Sequence, residues 1–314
     1  MIQSQPIFSS AGLVPSRKSV RSCDLIATNC FPQKVLIASV VLVGSLGSPV
    51  EAANLTSTNA SATVSGFDSA LTVFRIDDGP DNVFISDFWF RTDSTTSANS
   101  GEVNLNELSL LTETQLAPNQ VQFEAANNEL SAVETWTLLG APSENKDVLL
   151  SAVLALSNIS SAPIAGSLFY AADLDIAFDP VNPNDETTVL NANKIEVFDP
   201  VTGSRILTTV DPTPNNYQIY DGQFEVLFNF DIDIDGPTTL TNSPSIGTTV
   251  TDVPGQTDAG FAFGWDFELA PGESLTASVS HVAIAVPAPA SLLSLFGLFT
   301  AGGLMSRPQK RRTR

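Results

Sequence analysis

Alternating aspartates at positions 231–235 have the residue type and spacing that could hold a metal ion. Asp231, Asp233 and Asp235 precede a glycine, which matches the first six positions of a calcium-binding loop. The match ends there, because a proline follows and Asn242 stands where such a loop carries a bidentate glutamate. Apolar residues alternate with the aspartates, so the carboxylates would face water if the segment is a plain strand. Calcium is therefore the one candidate cofactor, with an ordinary acidic surface as the alternative.

Other residues that could do chemistry form weaker patterns. Asp173 and Asp175 are also two residues apart and are a second, weaker metal candidate. The only histidine, His281, lies in an apolar strand pattern, which is more typical of a packed side chain than of a catalyst. The sequence has no G-x-S-x-G nucleophile motif, no glycine-rich phosphate loop and no Cys/His zinc set. A pair of carboxylates for glycoside hydrolysis stays open, but no residue is predicted to be catalytic.

The charge of the chain is divided sharply along its length. The formal net charge is −20; because residues 1–52 carry +2 and the last eight residues carry +5, the body between them carries −27. Such a body repels nucleic acids and anionic lipid head groups, since both are bound through Lys and Arg. It suits an exported protein that must stay soluble, and it attracts divalent cations. We therefore expect no nucleic-acid partner.

Strands must position any site in this chain, because nearly every body segment alternates apolar and polar residues with period two. The longest candidate strands cover residues 83–90, 130–139, 147–158, 164–178, 224–235, 259–269 and 274–286. Residues 105–116 are the nearest approach to a helix. With 43% hydrophobic residues, the chain can fill a core. The predicted fold is an all-β, antiparallel β-sandwich of jelly-roll or Ig-like type over residues 53–284.

Two turn-containing segments, LALSNISSAPIAGSLFY (154–170) and FELAPGESLTASV (267–279), resemble exported Ig-like β-sandwich modules of bacterial surface proteins. The resemblance implies a sandwich and says nothing of a ligand. The second segment also predicts a final hairpin, closed by a Pro-Gly turn. A carbohydrate-binding module on this scaffold would expose aromatic residues in a row, so Trp89, Trp136 and Trp265 are its candidate contacts.

The first 52 residues are typical of an export signal. Residues 35–47 form an apolar run, and Val50 and Ala52 fit the small-residue rule for cleavage before Ala53. The segment before the run is long for the start of a signal peptide, so either the leader is extended or the start site is assigned too early. Both cysteines of the chain lie in this leader. The mature protein would then contain no cysteine and no disulfide.

Residues 285–314 combine three features in a fixed order. A proline motif comes first, and residues 290–305 then form an uncharged run. The motif is Val286, Pro287, Ala288 and Pro289, and the basic tail after the run contains Arg307, Lys310, Arg311, Arg312 and Arg314. The run would measure about 24 Å as a helix, just under the thickness of a bilayer core. The basic tail would stay on the cytoplasmic side.

This layout resembles the PEP-CTERM sorting signal, which exosortases process in bacteria that make extracellular polymers. The usual motif of that family is Val-Pro-Glu-Pro, and Ala288 replaces its acidic residue here. The resemblance implies an exosortase-like processing enzyme as a partner and a single transmembrane sorting helix. It also implies delivery to the cell surface or extracellular matrix, where an extracellular polysaccharide is a candidate partner. An ordinary tail anchor or a buried core helix is the alternative.

These observations divide the chain into a signal peptide (1–52), a β-sandwich body (53–284) and a sorting signal (285–314). The predicted function is that of an exported, non-enzymatic cell-surface or matrix protein, anchored in the membrane at least transiently. The alternative is a carbohydrate-binding module or a glycan-acting enzyme on the same scaffold.

Overall fold

The computed structural model describes residues 52–66, 69–77, 79–83, 85–92, 102–108, 112–140, 147–176, 184–220, 239–252 and 259–284. All of them belong to one compact unit, Gly47–Arg314. The apolar run of the signal peptide, the sorting motif, the basic tail and the aspartates of positions 231–235 lie outside the described residues. In the described part of the chain, no helix is long and apolar enough to cross a membrane. The predicted sorting helix, residues 290–305, also falls outside it.

Two antiparallel sheets form the body, as the period-two alternation predicts. Sheet A has seven strands, in the spatial order β1 (Ala53–Thr56), β2 (Ala60–Val64), β3 (Leu71–Ile76), β4 (Ile85–Thr92), β9 (Ile164–Asp173), β15 (Phe261–Leu269) and β13 (Asn216–Ile219). Sheet B has nine, in the order β14 (Thr249–Thr251), β10 (Glu186–Asn191), β11 (Lys194–Phe198), β12 (Arg205–Asp211), β16 (Ser274–Ile284), β8 (Val148–Asn158), β7 (Leu130–Leu139), β6 (Gln120–Ala126) and β5 (Thr112–Ala117). The prediction of an all-β, antiparallel sandwich is confirmed.

The core lies between the two sheets. Along β7 and β8, buried residues alternate with more exposed ones over almost the whole strand, which is the pattern that the pleat of a strand dictates. The largest buried side chains are aromatic: Trp136 of sheet B is fully buried, as are Phe88, Tyr170 and Phe263 of sheet A. Removal of this apolar surface from water is the main favourable contribution to the stability of the sandwich.

The segment that came nearest to a helix in the sequence, residues 105–116, contains a short 3₁₀ turn at Leu105–Glu107 and the beginning of strand β5. One local prediction is wrong. The predicted final hairpin does not form, since β15 pairs with β9 and β13 in sheet A, whereas β16 pairs with β8 and β12 in sheet B. Its Pro-Gly turn instead carries the chain from one sheet to the other, with Gly272 at a φ of 80° that favours glycine. Period-two alternation marks a buried face but does not identify the strand's partner.

Asn158 joins the two places where long strands change sheets. It ends β8, and its side chain is fully buried. Nδ2 donates to the carbonyl oxygens of Ala162 (2.7 Å) and Leu269 (2.9 Å), and Oδ1 accepts from the backbone N–H of Ser160 (2.9 Å). The carbonyl of Asn158 accepts from the N–H of Gly272 at 2.9 Å. The turns that follow β8 and β15 are therefore held to each other through Asn158.

A hydrogen-bonded chain of polar side chains crosses the core. Ser86 of β4 contacts the hydroxyl of Tyr170 in β9. That hydroxyl lies 2.6 Å from Nε2 of His281 in β16, and Nδ1 of His281 lies 2.9 Å from Oγ1 of Thr208 in β12. Burial raises the pKa of Tyr170 and lowers the pKa of His281 to about 3. The histidine is thus a neutral link between the sheets at pH 7.

Candidate functional site

The outer face of sheet A, which points away from the core, carries the candidate site. Strands β4, β9, β15 and β13 lie side by side there. Apolar residues on this face form a second, smaller cluster of Trp89, Phe169, Ala171, Tyr220, Leu240 and Ala262. Tyr220 and Leu240 come from segments outside the strands. Part of the outer face is therefore covered by the chain, and the site lies at the margin of this cover.

Strand register brings three polar side chains from distant parts of the sequence into one row. Arg91 of β4 is opposite Ser167 of β9, and Ser167 is opposite Asp266 of β15. Neighbouring strands lie about 4.8 Å apart, so the row spans roughly 10 Å between its outer backbones. A positive and a negative group are thus separated by about the width of a small ligand.

A cleft of about 170 Å³ opens beside this row. Its lining consists of Arg91, Ser167, Phe169, Asn216, Thr239, Leu240, Gly264 and Asp266. Gly264 creates the space, because a Cβ atom at this position would lie 3.0 Å from Cδ1 of Leu240 and 3.3 Å from the ring of Phe169. The cleft therefore has a small apolar floor of Phe169 and Leu240, and polar side chains make up most of its remaining lining.

Arg91 is fixed at one end of the row. Its Nη1 forms an ion pair with Oε1 of Glu102, whose carboxylate is fully buried. The guanidinium carbon lies 5.6 Å from the centroid of the Phe169 ring, in a cation–π contact. A guanidinium carries five N–H donors, so Arg91 can hold Glu102 and donate to a ligand at the same time.

Asp266 stands at the other end of the row and is exposed. Its Oδ1 accepts a hydrogen bond from Oγ of Ser167 at 2.9 Å. The backbone N–H of Asp266 donates to Oδ1 of Asn215 at 2.8 Å, which ties β15 to the start of β13. A carboxylate that is oriented through one oxygen can use the other oxygen to accept a hydrogen bond from a hydroxyl group or to take up a proton. Asp266 is therefore the residue of the cleft best suited to acid–base work.

Residues 239–242 cover one side of the cleft and are fixed to β13. Oε1 of Gln218 accepts from the N–H of Thr241 at 3.0 Å, and Oδ1 of Asn242 accepts from the N–H of Tyr217 at 3.0 Å. Asn242 has a φ of 56°, in the left-handed region that asparagine tolerates better than most residues. These bonds hold Leu240 against the apolar floor and so define the shape of the cleft.

A group of buried aspartates lies elsewhere in the body. Oδ2 of Asp185, just before β10, accepts from the N–H of Ile176 at 2.7 Å, and the carbonyl of Asp185 accepts from the N–H of Asp252 at 2.9 Å. Burial raises the pKa of Asp185 to about 8, and the neighbouring Asp252, Asp199 and Asp175 add to this effect. The carboxyl of Asp185 therefore holds its proton at neutral pH.

Of the residues predicted as metal ligands, only Asp173 and Asp175 lie within the described part of the chain. Asp173 ends β9 and Asp175 follows it, and neither lines the cleft. Over the ranges that the structure describes, no group of three or more His, Cys, Asp or Glu side chains is placed to hold a metal ion. Calcium binding at Asp231, Asp233 and Asp235 stays a prediction. So does cleavage between Ala52, which is exposed, and Ala53, which is buried at the start of β1.

The three tryptophans do not form an exposed row. Trp89, Trp136 and Trp265 are only 4%, 0% and 2% exposed. Nε1 of Trp265 donates to the carbonyl of Pro212 at 2.8 Å, and Trp89 belongs to the apolar cluster beside the cleft. The aromatic platform expected of a carbohydrate-binding module is therefore absent from these positions.

The residues of the cleft were missed because no motif connects them. Arg91 and Asp266 are 175 positions apart and meet only through β9. Two signals could have pointed to them. Arg91 is one of few cations in an acidic body and follows a strongly apolar run, and Gly264 interrupts another strand, which often marks a close approach of a ligand or backbone.

No protein-family model matches the sequence, and neither does any curated protein. The structure is similar to that of an Escherichia coli K12 protein assigned as an aldose 1-epimerase, with a TM-score of 0.50 and 9% identity over 75% of this chain and 99% of that chain. A galactose mutarotase-like protein from Lactobacillus casei ATCC 334 has a TM-score of 0.48 and 10% identity, over 74% of this chain and 99% of that one. At such identities the E. coli structure shows a shared fold.

This similarity corrects the functional prediction. The interpretation of the chain as a non-enzymatic cell-surface or matrix protein is contradicted by a fold shared with a protein assigned as a sugar-converting enzyme. The predicted transmembrane helix, residues 290–305, lies outside the described residues, among which no helix is long and apolar enough to cross a membrane. The interpretation was wrong because it rested on the two ends of the chain. Their sequence patterns concern localisation and carry no information on catalysis.

Proposed function

We propose that this protein is an enzyme that acts on a carbohydrate and binds a sugar in the cleft of sheet A. The observation that carries the proposal is the row of Arg91, Ser167 and Asp266 beside the space left by Gly264. A donor at one end of the row and an acceptor at the other suit a ligand that carries hydroxyls on opposite sides. The fold shared with the E. coli protein assigned as an aldose 1-epimerase supports a sugar as that ligand.

The size and charge of the cleft favour a single neutral sugar ring. Pockets for drug-sized ligands measure roughly 300–1,000 Å³, so a cleft of about 170 Å³ suits a smaller molecule. The charge of Arg91 is balanced by Glu102, which leaves Asp266 to make the cleft negative. A negative cleft disfavours sugar phosphates and sugar acids, because like charges repel in a partly desolvated site.

Asp266 is the proposed acid–base residue, and Arg91 and Asn216 are the proposed binding residues. Conversion at the anomeric carbon of an aldose requires removal of the proton from the anomeric hydroxyl and delivery of a proton to the ring oxygen. The carboxylate of Asp266 can accept the first of these protons as the bond between the anomeric carbon and the ring oxygen breaks to give the open-chain aldehyde. Water, which reaches Asp266 in this exposed position, supplies the proton to the ring oxygen, and the reverse steps close the ring as the other anomer. His281, the only histidine of the chain, is buried between the sheets and bonded at both ring nitrogens, so it plays no part in this chemistry.

The test is to measure binding and turnover separately. Titration by NMR with glucose, galactose, mannose and their methyl glycosides detects binding, and magnetisation exchange between the α and β anomers of each free sugar measures turnover. We expect binding of at least one aldose and an increased rate of anomer exchange. Asp266→Asn should abolish the rate increase while weakening binding by less than about tenfold, because the amide still accepts a hydroxyl but cannot take up a proton.

Glu268→Gln is the matched control, since Glu268 is an exposed carboxylate two residues along the same strand and on the same face. It should leave binding and exchange unchanged. If the wild type binds a sugar but does not increase the rate of anomer exchange, the protein is a sugar-binding protein and the proposed enzymatic activity is refuted. Binding of no sugar, or equal effects of the two substitutions, would refute the site itself.

The type of sandwich and the address of the chain are also proposals. The two sheets contain seven and nine strands, sixteen in total. An Ig domain has seven to nine strands in all and a jelly roll has eight, so we infer the larger sandwich of the aldose epimerase type. The export signal, the PEP-CTERM-like motif at 286–289 and the exosortase-like partner rest on the sequence alone. Amino-terminal sequencing of exported protein, with Ala53 as the expected first residue, tests the first of these.

A further inference from the structure

The outer face of sheet B differs from the rest of this acidic protein because its three central strands carry no outward charge. Inward residues of β7, β8 and β16 are buried in the core, and the alternate residues point outward. The outward residues are Ser131, Val133, Thr135, Thr137 and Leu139 of β7, Leu149, Ser151, Val153, Ala155 and Ser157 of β8, and Ser274, Thr276, Ser278, Ser280, Val282 and Ile284 of β16. This set is called the uncharged face below.

We infer that the uncharged face is the surface through which two copies of this chain pack against each other. It contains branched apolar side chains that are exposed to solvent: Val153 is 40% exposed and Leu139 is 47% exposed. The remaining residues are mostly small and hydroxyl-bearing, so the face has no long flexible side chain to immobilise. This lowers the cost of ordering an interface.

The distribution of charge favours a second copy over an acidic or basic partner. The chain has a formal net charge of −20, so two copies repel each other over most of their surfaces. Contact through strands without outward charge avoids bringing like charges close together, which would cost several kcal/mol. Charges appear only at the margins of this face, as Glu124 on β6 and as Arg205 and Asp211 on β12.

The area is sufficient for a stable dimer. The three central strands and the two that flank them span roughly 24 Å at a strand spacing of about 4.8 Å, and ten residues extend about 33 Å along a strand. This five-strand surface, which includes Glu124, Arg205 and Asp211 at its margins, offers roughly 800 Å² on each copy, equal to the contribution of one partner to a standard interface. Between these charges the flanking strands carry polar, uncharged residues such as Gln122 on β6 and Thr209 on β12. An isologous, two-fold arrangement uses the same patch on both copies.

The experiment is sedimentation-velocity ultracentrifugation of the full chain over a range of concentrations, at 50 mM and 300 mM NaCl. We expect a dimer in the micromolar range whose affinity rises with salt, because salt screens the repulsion between the two acidic bodies. Val153→Lys places a charge at the centre of the face in both copies and should raise the dimer Kd at least tenfold. Val201→Lys is the matched control: Val201 is 81% exposed in the turn between β11 and β12, away from the face.

Four results would overturn the inference. One is a wild-type chain that stays monomeric up to 100 µM, and another is a dimer that is unaffected by Val153→Lys while circular dichroism shows an intact fold. A dimer weakened equally by Val201→Lys would show that added charge acts without regard to position. The fourth is a monomer that co-sediments with insoluble polysaccharide and is released by Val153→Lys. This result would assign the face to a polymer.

Discussion

His281 offers the sharpest test of how the core is built, because its ionisation couples stability to pH. Its ring is fully enclosed and bonded to Tyr170 and Thr208. Tyr170 is bonded in turn to Ser86, and Glu134 and Asp87 act on it through space. Burial lowers the pKa of His281 from 6.5 to about 3. The folded state therefore keeps the ring neutral at a pH at which the unfolded chain has already bound a proton.

The sign and the size of the effect follow from this difference. Below pH 6.5 the unfolded state binds one more proton at this site, so the free energy of unfolding decreases as the pH falls. The decrease is about 1.4 kcal/mol per pH unit. It should amount to about 2 kcal/mol between pH 7.5 and pH 5.0. This loss continues towards the folded-state pKa of about 3.

The substitution His281→Gln isolates this contribution. Glutamine can donate and accept towards Tyr170 and Thr208 but does not titrate. Urea unfolding followed by tryptophan fluorescence at pH 7.5, 6.0 and 5.0 gives the free energy of unfolding of both proteins. Carboxylates titrate in both, so they cancel in the difference, and the wild type should lose about 2 kcal/mol more than the variant. An equal loss in the two proteins, or an NMR titration midpoint of the folded ring near 6.5, would refute the reasoning.

Three further predictions concern the turns, the aspartates and the cleft. Asn158→Ala should lower the free energy of unfolding by about 3 kcal/mol in urea melts, because it leaves buried carbonyls without donors. Ser160→Ala removes a half-buried hydroxyl that donates to Oδ1 of Asn158 at 2.8 Å but keeps both bonds from Nδ2 of Asn158, so it should cost less than about 1 kcal/mol; equal costs would contradict the linking role. Between pH 4 and pH 8 the carboxyl of Asp185 has lost its proton in the unfolded chain but keeps it in the folded state, so the free energy of unfolding should fall by about 1.4 kcal/mol per pH unit as the pH rises. Asp185→Asn should remove this decrease. Parallel pH profiles of variant and wild type would exclude the raised pKa. Gly264→Val should weaken sugar binding at least tenfold while the fold persists, since its Cβ alone would approach Leu240 to 3.0 Å; undiminished binding would place the sugar elsewhere.

The strands were predictable from the sequence, but their partners were not. Alternation alone located β7 at residues 130–139 and β11 at 194–198, because one face of each is buried and period two records this. The turn at residues 270–273 was also recognised, yet it joins two different sheets. Local turn chemistry sets the direction of the chain after the turn, whereas the choice of partner depends on distant strands, such as β8, which precedes its partner β16 by more than a hundred residues.

The candidate site was out of reach of the sequence for the same reason. Arg91, Ser167 and Asp266 become a row only through the register of β4, β9 and β15. In the sequence, Arg91 appears as a charge at the end of a strand and Asp266 as one of many acidic residues. The aspartates of positions 231–235 attracted attention because their spacing is local. Sites assembled across a sheet leave no such local spacing to find.

The two proposals use opposite sides of one sandwich, and this makes them independent. The cleft lies on the outer face of sheet A and the uncharged face lies on the outer face of sheet B, with the whole core between them. A dimer through sheet B therefore turns the two clefts away from each other and leaves both open to sugar. Val153→Lys should separate the copies without changing sugar affinity or anomer exchange per chain, and Asp266→Asn should abolish exchange without changing the dimer Kd. A loss of exchange that accompanies dissociation would mean that the cleft is shaped by contact across sheet B, and this outcome would require a mechanical link through the Tyr170–His281 chain that joins the two sheets.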